Sequence, residues 1–230
     1  MISSALRSGL AAALLVLLTG PLGAQEPPLR AWPDTATARL GALALLQTLN
    51  AELLSNPSAT LTLDRWCAAH RLAPAGAKIV AQRVTGADKP ATDAIRQMLG
   101  VGAEEPVRYR RVRLACGERV LSEADNWYVP ARLTPEMNQQ LETTDTSFGR
   151  VVQPLRFRRQ TLAATLLWQP LPEGWEMDAP LPAPGTQPLA IPAFVLEHRA
   201  VLTLPDGRAF STLVESYTAN VLGFAWRDGL

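Results

Sequence analysis

Three groups of residues in the second half of this chain could do chemistry unaided. The first is Arg108-Tyr109-Arg110-Arg111-Val112-Arg113, where four arginines fall within six positions. If the segment is a strand, they divide between its two faces. Either all are solvated, or one turns inward and holds a carboxylate through its guanidinium fork. Arg111 shares a face with Val107, Tyr109 and Arg113. The second group is Thr146-Ser147-Phe148-Gly149-Arg150, a glycine-containing turn whose backbone amides could face a ligand. The third is Glu215. It shares the more apolar face of a strand-like run with Leu213, Tyr217, Ala219 and Val221. Desolvation there would raise its pKa toward the range of a proton donor, unless an arginine pairs with it.

Other chemistries find no support. The two histidines, His70 and His198, have no second ligand at metal spacing, so no zinc or haem site is expected. His70 falls on the apolar stripe of a helix and reads as a core histidine. No Gly-x-Ser-x-Gly elbow or phosphate-cradling glycine loop is present.

The elements that must position these groups change in kind along the chain. Ala42, Leu45, Leu46, Leu49 and Leu53 repeat at helical spacing from about Thr35, and Asn56-Pro57 stops the run. A second helix is predicted from Thr62 as cap. A strand over 77–84 and a short helix over 92–99 follow. Then come strands over 106–116 and 120–129, joined through Gly117-Glu118-Arg119 as a hairpin. Thr134-Pro135-Glu136 opens another helix. Strands over 156–168, 194–204 and 209–222 complete the pattern, the last two flanking Pro205-Asp206-Gly207-Arg208. Between them, residues 170–192 hold seven prolines and form a loop. Helices in front and hairpins behind define an α+β fold class, a single domain with a mostly antiparallel sheet and helices packed on it.

The beginning of the chain carries an address. Met1 to Ala24 has one cation, Arg7, an apolar run from Leu10 to Leu18 and a small-residue exit, the pattern of a cleavable signal peptide. A periplasmic or secreted location is therefore expected, with a Pro-rich flexible leader over 25–34 and the folded domain over 35–230. Without Arg7 the chain has 21 basic and 21 acidic residues, so no nucleic acid partner is expected and no membrane association after cleavage. Cys67 and Cys116 could form a disulfide in such a compartment or stay as buried thiols.

Three blocks together resemble the chorismate lyase family: Arg111 to Pro130 (RVRLACGERVLSEADNWYVP), TSFGRVV at 146–152, and EHRAVLTLPDGRAFSTLVESY at 197–217. Their order and spacing agree with the family over roughly Leu45 to Leu222. The resemblance implies a ligand enclosed beneath flaps on an antiparallel sheet. It also implies cofactor-free removal of the enolpyruvyl group of chorismate, giving 4-hydroxybenzoate and pyruvate. In that scheme Arg111 holds the substrate carboxylate, Phe148 and Gly149 contact the ligand, Leu61 adds an apolar contact and Glu215 supplies the proton. The alternatives are a non-catalytic periplasmic binder of a small aromatic carboxylate and an envelope protein keeping only the fold. Chorismate is made inside cells, so an exported lyase would need an unusual supply of substrate.

Overall fold

A computed structural model describes residues 31–86 and 88–226; the expected signal peptide lies outside them. Helix α1 (Ala36–Ser55) begins where Thr35 accepts a hydrogen bond from the Ala38 amide. Its stripe of Ala38, Ala42, Leu46, Leu49 and Leu53 is buried. Asn56 is extended ahead of Pro57, which ends the helix. Helix α2 (Ala59–Ala69) then starts earlier than predicted. Ser58, not Thr62, is its cap, its hydroxyl accepting from the Leu61 amide, and Thr62 is buried within the helix. A polar cap directly after proline outcompetes one four residues further on.

Six strands form one antiparallel sheet: β1 (Ile79–Arg83), β2 (Arg108–Cys116), β3 (Arg119–Tyr128), β4 (Arg158–Leu166), β5 (Phe194–Thr203) and β6 (Ala209–Thr218). Their order is β1-β2-β3-β6-β5-β4. Gly117 and Gly207 take φ of 57° and 88° in the two hairpin turns, a region open to glycine at little cost. The expected last strand stops at Thr218, and Ala219–Leu222 turn into a 3-10 helix. Helix α3 (Asp93–Leu99) covers part of one face through Leu99, against Trp127 and Val129. Helices α1, α2, α4 (Pro135–Thr143) and the short α5 (Phe148–Val151) cover the other. The expected α+β domain with an antiparallel sheet is therefore the fold.

The covered face carries two apolar clusters. One gathers α1, α2 and the residues Leu114, Cys116, Leu196 and Tyr217. The other joins Met137, Leu141 and Val151 to Leu202, Phe210 and Leu213. Cys67 of α2 and Cys116 of β2 are joined by a disulfide, with Cα atoms 6.5 Å apart.

Two expectations are corrected here. The leader is not loose over its described part: Trp32 is buried, its indole donates to the Phe224 carbonyl at 3.0 Å, and Leu189 donates to its carbonyl. An indole able to bury its ring and still find an acceptor is a strong anchor. The segment that receives it is the proline-rich loop, which lacks regular structure but pairs Pro188 with Pro33. His70 is half-buried at the end of α2, where its ring lies between Trp66 and Phe224.

Candidate functional site

Between the two clusters the sheet face is not filled. Alternation along β2 turns Arg110, Val112 and Leu114 inward, where they line a cavity of about 50 Å³. Ala124 and Asn126 of β3, Leu213 and Glu215 of β6, Leu202 of β5, and Phe157 and Arg159 supply the rest of the sheet wall. Its roof is Pro57 to Thr60, at the start of α2, with Phe148 and Gly149 of α5. These two helix starts touch closely. A Cβ at Gly149 would stand 3.0 Å from the Ser58 hydroxyl, so glycine is what lets α5 approach.

The polar groups of this cavity are unequally satisfied. Glu215 is only 6% exposed and accepts from Arg159 at 2.7 Å and from the Tyr217 hydroxyl at 3.1 Å. Burial, the largest single effect, lowers the Arg159 guanidinium, but the charges of Glu215 and Tyr217 and the hydrogen bond to Glu215 together hold it raised. Burial and the same carboxylate push the Tyr217 hydroxyl well above its ordinary value. Arg110 is equally buried, at 7% exposed, and among the described residues has no carboxylate bonded to it. One of its nitrogens donates to the Thr146 carbonyl, while Nε and Nη1 are buried without a partner. Burial, reinforced by the charge of Arg83, lowers it to about 10, so it remains a cation at neutral pH. Asn126 Nδ2 and Arg159 Nε are likewise buried donors without partners. Arg110 and Asn126 are direct cross-strand neighbours.

His198 stands opposite Glu215 across the β5–β6 ladder, completely buried. Its Nε2 meets the Asn50 side-chain oxygen at 2.8 Å. Burial first, with Arg159 assisting and Glu215 opposing, pushes its pKa down to about 4, which keeps the ring neutral. Among the described residues no group of three or more His, Cys, Asp and Glu side chains could hold a metal.

The structure therefore separates residues that the sequence had grouped. Arg111 lies on the opposite face of the sheet from Glu215, where it donates to Glu123 at 2.7 Å. That hydrogen bond, first among the causes, raises its pKa. It cannot hold a ligand beside Glu215; of the β2 arginines, Arg110 is the one that lines the cavity. Leu61 does not line the cavity; Ser58, Ala59 and Thr60 do, because α2 begins at Ser58. Phe148 and Gly149 line it as expected. Glu215 lines it too, but paired with Arg159 rather than as a lone desolvated acid. Face alternation could have pointed to Arg110, which shares parity with the apolar Val112, Leu114 and Cys116. No local signal marks Arg159, whose partner lies 56 residues away in the chain.

Fold and site together describe an α+β protein with a partly open cavity on one sheet face, lined by two arginines and one carboxylate. This chain belongs to the same family as the uncharacterized protein y4mC of Sinorhizobium fredii (strain NBRC 101917 / NGR234), with 66% identity over 193 residues, covering 84% of this chain and 81% of y4mC. No family model matches. Similar solved structures include PhnF from Mycobacterium smegmatis (13% identity, 87% of this chain and 94% of that one, TM-score 0.48) and the effector domain of PhnF (15%, 76% and 96%, 0.46). Another is the ligand-binding domain of a GntR-family transcriptional regulator from Bordetella bronchiseptica (15%, 69% and 92%, 0.41). The assignment of the chain to the chorismate lyase family is corrected: Arg111, the arginine it required beside Glu215, faces the opposite side of the sheet.

Proposed function

We propose that the cavity binds a small monocarboxylate with an apolar, ring-sized body, and that the protein acts as a binder rather than as a lyase. One observation carries this reading: the Arg110 guanidinium is buried with two nitrogens unpartnered. A buried cation without a counter-charge is costly, and a carboxylate received by its fork removes that cost. The charged residues of the lining are Arg110, Arg159 and Glu215, which leaves one positive charge for a monoanion to neutralise. Val112, Leu114, Ala124, Phe148, Phe157, Leu202 and Leu213 surround the remaining space and favour an apolar body such as an aromatic ring. Glu215 already accepts from two donors, which supports a fixed acceptor more than a mobile proton donor.

Calorimetric titration with benzoate and 4-hydroxybenzoate, against benzamide as the uncharged control, tests the proposal. Both acids should bind and the amide should not. Arg110→Met should weaken the acids by about 10- to 100-fold, the worth of a charged hydrogen-bonded contact. Equal binding of acid and amide would sink the carboxylate reading. Incubation with chorismate separates binding from turnover: release of both 4-hydroxybenzoate and pyruvate, lost in Glu215→Gln, would replace the binder by an enzyme.

We also propose that the protein works outside the cytoplasm. The charge and apolar pattern of Met1 to Ala24 and the Cys67–Cys116 bridge support this reading. The N-terminus of the mature chain recovered from the periplasm or medium should then be Gln25. An intact Met1 on cytoplasmic protein would refute export.

A further inference from the structure

The two edge strands of the sheet are treated differently. At β1 the outward backbone groups of its first half are largely occupied. The Ile79 amide donates to Asp64 at 2.7 Å, the Ile79 carbonyl accepts from Arg150 at 2.8 Å, and the Ala81 amide donates to the Asp145 carbonyl at 3.0 Å. At β4 the Leu167 amide, just beyond the strand, donates inward to the Val195 carbonyl. By the alternation of an antiparallel ladder, Leu166 and Ala164 turn their backbone groups to the open side. Among the described residues no hydrogen bond reaches that side of β4 from backbone or side chain. The charges of β4, Arg158 and Arg159, lie before the register shift at Thr161/Ala163, and the stretch from Ala163 to Leu167 carries neither a charge nor a proline to blunt the edge. No charged residue stands between Arg159 and Glu173, and Leu162 and Leu167 are 49% and 46% exposed.

We propose that the open edge of β4 is an interaction surface for the β4 edge of a second copy. The two strands pair antiparallel about a twofold axis near Ala164, and the two six-stranded sheets become continuous. The complement of an unpaired strand edge is another unpaired strand edge. In a second copy β1 is partly capped, at Ile79 and Ala81, and β4 is the more open edge to accept it. Pairing of like with like is symmetric and closes at two copies. Charge agrees with this choice. An axis at Ala164 pairs the stretch from Leu162 to Leu166 with its copy, and Arg158 and Arg159 lie outside that stretch, so the arginines of the two copies do not face one another. The pairing also braces the strand that carries Arg159 into the cavity, although it does not depend on what the cavity binds.

Sedimentation equilibrium of the purified chain over a concentration series is the test. The wild type should reach twice the mass of one chain. Ala164→Lys replaces an exposed side chain, and in this register places two ammonium groups directly across from each other. The measured mass should halve while the far-ultraviolet spectrum and melting temperature stay unchanged. Ala164→Pro, which deletes an outward-facing amide at an edge where proline is tolerated, should do the same. Hydrogen exchange supplies an independent reading, because the Ala164 and Leu166 amides should be slow in the wild type and fast in Ala164→Lys. A wild type of single-chain mass throughout, or both variants dimerising like the wild type, would overturn the proposal.

Discussion

The two faces of the sheet hold their charges in opposite ways. On the outer face Arg111 and Arg113 converge on Glu123 of the next strand, and Lys89 pairs with Asp125. Every charge in this ladder has a partner and most have water. On the covered face the Arg159–Glu215 pair is dry, with side chains 4% and 8% exposed, and among the described residues no carboxylate pairs directly with Arg110, Asp145 acting on it only from a distance. Neighbouring arginines of one strand thus have contrary meanings. Arg111 is a surface residue whose pairing contributes little, and Arg110 is a buried cation held in reserve. What distinguishes them is not residue type but parity, the direction in which the pleat turns each one.

The sharpest way to break this contrast is to remove one member of the buried pair. Arg159→Met should destabilise the protein by about 3–5 kcal/mol, because Glu215 is left charged and dry with only Tyr217 as donor. Changing both, as Arg159→Met with Glu215→Leu, should restore most of the loss. Urea unfolding of the three proteins checks this, and a mild single variant would mean that water already reaches the pair.

Acid provides the next largest effect. With its folded pKa near 4 and an unfolded value near 6.5, buried His198 stays neutral while the unfolded chain takes up a proton. The unfolded state binds more protons between these values, so stability is complete above pH 6.5 and falls as pH drops toward 4. The full loss is about 3 kcal/mol. His198→Gln should flatten that part of the stability–pH curve; an unchanged slope would assign the loss to other groups.

Arg110→Met offers a smaller effect of the opposite sign. In the ligand-free protein it should be neutral or stabilising by about 1 kcal/mol, since it removes a buried charge that no carboxylate balances. Thermal melting measures this, and a clear drop in melting temperature would show that Arg110 is structural. On the outer face Arg111→Ala should cost at most about 1 kcal/mol and leave benzoate affinity untouched. Lost affinity in that variant would undo the separation of the two faces.

Much of this arrangement is legible in residues near one another in the chain. Thr35 and Thr134 cap helices where polar residues precede apolar periodicity, and both glycine-bearing hairpin links turn where they should. Glu215 stands out because a carboxylate interrupts an apolar alternation. The start of α2 was less readable, because Ser58 and Thr62 are both acceptable caps and only the packing of Thr62 inside the helix decides between them. Trp32 was unreadable, since its acceptor, the Phe224 carbonyl, lies 192 residues away.

By itself the sequence determined the α+β class, the hairpins, the proline-rich loop and the presence of a carboxylate on an apolar strand face. These follow from periodicity, capping and turn chemistry, all of which act over a few residues. Only the tertiary structure decided that Arg110 and not Arg111 meets the cavity, that Arg159 neutralises Glu215, and that β1 is partly capped while β4 is open. The physical reason is the strand order β1-β2-β3-β6-β5-β4. It brings together side chains far apart in the chain, and their partnership depends on which strands become neighbours and which face is buried.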